Sequence, residues 1–220
     1  ARGRGLRHVL GPGSTSGMSS CVLMAETLAD ALSRVRHAAA SDDERPILRT
    51  VLIERRGDGL RFVATDNYRL ATFIVDEVWD AGEDATWDPA LVTTDDVAVV
   101  LAFLNGMEEG RAVKVSHDGR VLTLAPMSLF EEITGSLEVT LADGRYPDID
   151  AIWPAAGPVV ARFRAEYLAG LVKGVGRKGF VTLHIASPTA PALFSDPDGV
   201  FAEVIMPVRT GSDIAAGDGS

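Results

Sequence analysis

The feature that most constrains this chain is a pattern that occurs three times: a helix with one apolar face, followed by several short strands of alternating character. In the first unit Leu28, Leu32, Val35 and Ala39 recur at helical spacing. Ile47–Glu54, Leu60–Thr65 and Leu70–Val75 then alternate as strands around the turn Gly57-Asp58-Gly59. In the second, Thr93 or Thr94 caps a helix whose first turn holds Asp95 and Asp96, whose face is Val97, Val100, Leu101 and Leu104, and which stops at Gly106. Strands over Ala112–Ser116 and Val121–Ala125, and two more up to Leu141, follow. In the third, Phe163 precedes a helix with Leu168, Leu171, Val172 and Val175 inward, and Val181–Ile185, Ala192–Ser195 and Phe201–Met206 read as strands.

Helices packed on one side of largely antiparallel sheets give an α+β class built from repeated helix plus antiparallel-strand units. The chain has 220 residues, 46% hydrophobic and 24% charged, enough to bury a real core in one or two domains. No stretch approaches the roughly 18 consecutive apolar residues of a membrane helix, and the start lacks the order of a secretory signal, so no membrane partner and a cytoplasmic location are expected. Cys21 is the sole cysteine, which rules out an internal disulfide or a cysteine-based zinc site.

Charge narrows the partners. The formal net charge is −10, and beyond the opening Arg2, Arg4 and Arg7 the other 18 basic residues stand against 31 acidic ones. An acidic body of this kind does not grip nucleic acid non-specifically, a task that basic side chains perform against phosphate. Residues 1–19 mix Gly, Ser, Pro and Arg without apolar periodicity and read as a flexible linker or tag, and 211–220 reads as a disordered tail. The chain opens on Ala1 rather than Met, which fits a piece of a longer protein.

Motifs for chemistry are weak. Gly174-Val-Gly176-Arg-Lys-Gly179 matches a dinucleotide fingerprint but follows a helix and leads into a strand, the reverse of the order that cradles a pyrophosphate. His8, His37, His117 and His184 lie far apart without metal-ligand spacing. Paired carboxylates such as Asp42-Asp43, Glu108-Glu109 and Glu131-Glu132 are adjacent in sequence rather than opposed across a cleft. No GxSxG nucleophile elbow is present. The expectation is a protein without catalysis, cofactor or metal.

Three separated stretches carry a resemblance. Arg45-Pro46-Ile47-Leu48 is followed by Val51-Leu52-Ile53-Glu54 and by Val63-Ala64-Thr65-Asp66-Asn67-Tyr68-Arg69-Leu70-Ala71. Later come Asp143-Gly144-Arg145-Tyr146-Pro147-Asp148 and Val204-Ile205-Met206-Pro207-Val208-Arg209. Together they resemble the bacterial DNA sliding clamp family, the beta subunit of DNA polymerase III, whose forms are ATDGHRLA, EGRFPDY and VVMPMRL. The match implies a DNA-clamp fold in a shortened clamp-like protein. Residues 20–154 resemble the clamp middle domain, and 155–210 resemble the end of its carboxy-terminal domain, half a domain.

In that family the middle-domain strand, its closing loop and the chain end form an apolar pocket for linear peptide motifs of polymerase or repair proteins. The resemblance therefore implies peptide binding at Leu48, Thr65, Tyr68, Arg69, Leu70, Pro147, Ile152, Val204, Met206, Pro207, Val208 and Arg209. The chemistry suits the role: Leu, Ile, Val, Met and Pro make a dry, adaptable wall, while Arg69 and Tyr68 offer donors. The family also implies double-stranded DNA as a partner and a homo-oligomeric ring. Arg34, Arg36, Lys173, Arg177 and Lys178 are the candidate phosphate contacts. The second helix opposes that reading, with Asp95, Asp96, Glu108 and Glu109 around it and no base before Arg111. The family's Gly-His pair is Asn67-Tyr68 here, which reshapes the pocket rim. The expected function is a processivity or tethering factor; the alternative is a clamp-like regulatory domain of a MerR-type transcription regulator binding a peptide or small ligand.

Overall fold

The computed structural model describes residues 19–208 except 43, 77, 81–86, 128–134, 154–159, 177–178 and 199. Among the sequence assignments, the linker up to residue 18 and the tail 211–220 lie outside the described residues. The chain forms two compact units that meet between Asp148 and Ile149, a few residues before the boundary expected after 154.

The first unit holds two αβ halves. Its opening strand β1 (Ser19–Met24) alternates buried and half-buried residues and was not anticipated, because its serines blend into the Gly- and Ser-rich stretch before it. Helix α1 (Ala25–Val35) follows, burying Leu28, Ala31, Leu32 and Val35 along one stripe. The residues Pro46–Arg49 make a 3-10 turn rather than the start of a strand. Proline's fixed φ and missing N–H suit a helical first turn, and the Thr50 hydroxyl ties the exit by donating to the Ile47 carbonyl at 2.6 Å. Then come β2 (Thr50–Arg56), β3 (Gly59–Thr65), β4 (Leu70–Val75) and the short β5 (Trp79–Asp80).

The second half repeats the scheme with β6 (Ala90–Thr93), α2 (Thr94–Asn105), β7 (Ala112–His117), β8 (Val121–Met127) and β9 (Leu137–Thr140). Thr93 is the cap: its hydroxyl accepts the Asp96 amide at 3.1 Å and donates to the Asp96 carboxylate at 2.7 Å. The sheets run β5-β1-β7-β8-β9 and β4-β3-β2-β6. Each half thus gives its first strand to the other's sheet: β1 precedes α1 but pairs with β7, and β6 precedes α2 but pairs with β2. One apolar core joins residues of both halves, and α1 packs on α2.

The second unit contains the single turn α3 (Ile149–Ile152), α4 (Ala165–Val175), and a three-stranded antiparallel sheet of β10 (Thr182–His184), β11 (Ala192–Ser195) and β12 (Ala202–Ile205). Its core is small: Leu171, Ala192, Phe194 and Ile205 are buried, with Phe163 edge-on to Phe194 at 5.7 Å between ring centres. The expectation that four α4 residues point inward needs correction. Leu171 is buried, whereas Leu168 and Val172 are 37% and 49% exposed. Among the described residues no helix is long and apolar enough to cross a membrane.

His117 closes the first unit's core. It is buried, packs edge-on against Trp87 at 4.7 Å, and accepts the Gly119 amide on Nδ1 at 3.2 Å. Its Nε2 nears the Asp88 backbone without a well-shaped hydrogen bond. Burial pushes the imidazole pKa down, against smaller opposing effects of Asp88 and Asp118. Because the folded-state value lies below the unfolded value of 6.5, the unfolded chain takes up this proton first. The stability His117 supports is therefore complete above about pH 6.5 and falls as the pH drops below it. We expect the urea midpoint to decline between about pH 7 and pH 5, and the decline to be smaller in His117→Gln.

Candidate functional site

One end of the β4-β3-β2-β6 sheet gathers the first unit's share of the expected peptide-binding residues. The chain leaves β3 at Thr65 and enters β4 at Leu70 through a turn held by its own side chains. The Thr65 hydroxyl donates to the Arg69 carbonyl at 2.7 Å and accepts the Asn67 amide at 3.2 Å. One Asp66 carboxylate oxygen accepts the Tyr68 and Arg69 amides, both at 3.0 Å, and the other accepts Arg69 Nε at 2.9 Å. Asn67 has φ of 75°, a left-handed conformation that asparagine tolerates better than most residues.

These bonds set what the turn displays. Tyr68 is 98% exposed, Arg69 keeps its guanidinium largely in solvent while paired to Asp66, and Leu70 is half-buried. Burial pushes the Asp66 pKa up, but the Tyr68 and Arg69 amides and the Arg69 guanidinium outweigh it, leaving the carboxyl below its ordinary value. Thr65 and Leu48, also expected to bind peptide, are buried beneath the turn. Leu48 is fixed by the 3-10 turn, and its carbonyl accepts the Ala40 amide at 2.9 Å.

The closing loop lies against the same end. Gly144 has φ of 146°, and a side chain there would come within 2.8 Å of Ile47 Cδ1, so glycine allows the loop to press on the 3-10 turn. Two residues on, Tyr146 is half-buried with its hydroxyl tucked beside the Thr65 backbone, and Pro147 is half-buried as well. The Tyr146 hydroxyl approaches that backbone without a hydrogen bond of good geometry, and burial pushes its pKa up to about 12. Asp66, Ile47, Gly144 and Tyr146 are thus parts of this site that residue-type reasoning passed over. Their signal was the fit of the turn and loop rather than any ligand-binding chemistry.

The second unit carries the remainder. Val204 and Met206 are 62% and 57% exposed, and Ile152, Pro207 and Val208 are exposed or half-buried. Opposite Val204 in the ladder stands Leu193, also exposed, which the sequence reading missed although it alternates with buried Ala192 and Phe194. Arg209 lies outside the described residues. Two surface hollows of about 250 and 390 Å³ lie elsewhere in the first unit, one around Ser116, Thr123 and Glu138, the other around Phe73, Ile74 and Trp79.

The candidate DNA contacts fall in both units. Arg34 donates to Asp30 at 2.7 Å and stands over the Phe73 ring at 5.3 Å. Arg36 and Lys173 are exposed, and Arg177 and Lys178 lie outside the described residues. The outer face of α2 carries Asp95 and no cation in its last turn.

Comparison with known proteins agrees on one group. Residues 22–148 match the family model for the central domain of the DNA polymerase III beta subunit. The beta sliding clamp of Micrococcus luteus is 30% identical over 135 residues, covering 60% of this chain and 40% of that protein. That of Pseudomonas aeruginosa is 29% identical over 128 residues, 57% of this chain and 31% of that protein. The crystal structure of the Pseudomonas aeruginosa DNA polymerase sliding clamp superposes with a TM-score of 0.69 at 19% identity, covering 92% of this chain and 54% of that one. The Bacillus subtilis clamp gives 0.69 at 19%, with 92% and 52% covered. At those identities the superpositions establish the fold. The matches span less than half the length of either sequence relative.

If the Asp66 bonds hold the turn, Asp66→Ala frees the Tyr68 and Arg69 amides. We expect it to cost about 1 to 2 kcal/mol in urea unfolding at neutral pH. Tyr146→Phe removes only a hydroxyl with no good partner and is expected to leave neutral stability nearly unchanged. It should also lessen the alkaline loss between about pH 10 and 12, since a group whose folded value is raised loses its stabilising effect as the pH rises through that window.

Proposed function

We propose, since the chain belongs to the DNA polymerase III beta subunit family, that it is a clamp-like tethering protein that binds linear peptide motifs of polymerase or repair proteins and performs no catalysis. The observation that carries this reading is the Thr65–Leu70 turn. A set of side-chain bonds spends no bond on the tyrosine ring and holds it in solvent, next to a guanidinium fixed at its base and an apolar residue at the strand entrance. That is a receptor's arrangement: an amphipathic ring and a charged donor orient a peptide, while Leu70 and Pro147 supply apolar contact.

Pre-ordering matters because a peptide loses its own freedom on binding. A receptor turn already held by its internal bonds adds little further ordering cost. The exposed Leu193, Val204 and Met206 of the second unit supply a further apolar surface of the same chemical kind, on or beside the segment whose sequence resembles the family's chain end. Methionine suits a surface that accepts several related sequences. Leu48 and Thr65 act from beneath by fixing the turn.

DNA is the weaker partner in this reading. The body is acidic, Arg34 is engaged with Asp30 and Phe73, and the outer face of α2 presents carboxylate rather than cation.

The test is a fluorescence titration with a labelled peptide from a polymerase that binds bacterial clamps. Arg69→Ala together with Met206→Ala is expected to weaken binding by roughly tenfold or more, with the thermal midpoint only slightly lowered, because both side chains are exposed and the Arg69–Asp66 pair lies at the surface. Unchanged affinity in this double variant would remove both surfaces from the function, and an unaltered affinity in Tyr68→Ala would remove the exposed ring.

A further inference from the structure

The first unit shows what one αβ half requires, and the second unit contains a half whose requirements are unmet. The helices make the comparison direct. In α1 the residues three, six, seven and ten places after the first are Leu28, Ala31, Leu32 and Val35, and in α2 they are Val97, Val100, Leu101 and Leu104; all are buried. The same places in α4 hold Leu168, Leu171, Val172 and Val175. There only Leu171 is buried, and Leu168 and Val172 face solvent.

The segment before the helix tells the same story. In the first unit this segment is a strand given to the other half's sheet. Residues 160–164 occupy the equivalent position, as one hydrogen bond shows. The carbonyl of Leu91, three residues before α2, accepts the Ala142 amide at 2.8 Å, and the carbonyl of Arg162, three residues before α4, accepts the Val208 amide at 2.7 Å. Yet 160–164 joins no described sheet. Among the described residues the receiving edge is vacant as well. In the first unit the donated strand lands on β2 or β7, the first strand after each helix, whereas β10 has only β11 beside it and exposes all three of its residues.

We propose that a second copy of this chain supplies the missing half. The second units of two copies pair about a two-fold axis, α4 against α4, and residues 160–163 of each copy add as an antiparallel strand to β10 of the other. The occupant is specified by what the surface lacks. The needed partner offers one apolar helix stripe, one strand to donate and one edge to receive a strand, and the second unit offers those three features itself. The two halves of the first unit do not qualify, because each already has its strand, edge and helix face covered by the other. A two-fold pairing satisfies donor and acceptor in both copies at once, the self-complementarity that closed dimers require. A strand added to an open edge also satisfies backbone groups that otherwise face only water.

This inference does not depend on peptide binding and has its own test. Light scattering of the full chain across a dilution series is expected to show a dimer of about 47 kDa, twice the 23.3 kDa chain, dissociating at low concentration. Leu168→Glu and Val172→Glu alter side chains already exposed in one copy, so the far-UV circular dichroism should be retained while the dissociation constant rises roughly a hundredfold, the symmetry doubling each loss. On the unaltered protein, hydrogen exchange should show concentration-dependent protection at 160–163 and 182–184. A chain that stays monomeric at every concentration overturns the proposal. So does association that both variants leave intact, as expected if another surface or another protein covers this half, and so does protection absent from those two segments.

Discussion

The exchange of first strands between halves is the constraint on which the first unit depends. Because β1 joins the sheet that follows α2 and β6 joins the sheet that follows α1, neither half can complete its sheet alone. The same exchange brings α1 and α2 side by side, so the helix stripes bury each other as the sheets close. Hydrophobic burial and backbone pairing are therefore won together, and losing either half exposes the other's helix and sheet edge. The peptide-facing turn benefits at a distance: it hangs from β3 and β4, whose sheet is held on its far side by the borrowed β6.

Much of this was legible in the chain. The three main helices were readable because their apolar residues recur at a spacing only a helix places on one face, and the cap was readable as Thr93 or Thr94 because a hydroxyl precedes two carboxylates in a first turn, the choice of Thr93 resting on its bond to the Asp96 amide. The strand β1 was not readable, since what makes Ser19–Met24 a strand is pairing with β7 some ninety residues on. Its buried Ser19, whose hydroxyl accepts the Asp88 amide at 3.0 Å, is a polar residue that only a tertiary partner explains. The same limit produced the error in α4. Periodicity reports that Leu168 and Val172 share a stripe with Leu171, but it does not report whether a neighbour exists to cover that stripe.

The candidate site divides along the same line. Residue types and the family resemblance pointed to Thr65, Tyr68, Arg69 and Leu70, and the structure places them in one turn. The parts that hold it, Asp66 beneath the two amides and Gly144 against Ile47, have no ligand chemistry of their own and became visible only through distances. Leu193 is a milder case: the alternation of β11 marks it as facing away from Phe194, but its value lies in standing opposite Val204.

The second unit carries two apolar surfaces that do not compete. Phe194 and Ile205 turn toward Leu171 of α4, while Leu193 and Val204, alternating with them, turn the other way. A helix partner and an added strand would complete the α4 side and the β10 edge, leaving Leu193 and Val204 open. Among the described residues Leu171 of α4 and Ala192, Phe194 and Ile205 of the sheet make a thin core, so anything that covers α4 also steadies the ladder that presents Val204. Association at one face would therefore sharpen recognition at the other by ordering the strand rather than by adding a contact. That coupling has a direction: Leu168→Glu should weaken peptide binding at low concentration, where the unaltered chain still associates, and leave the contacts of Tyr68 and Arg69 as they are.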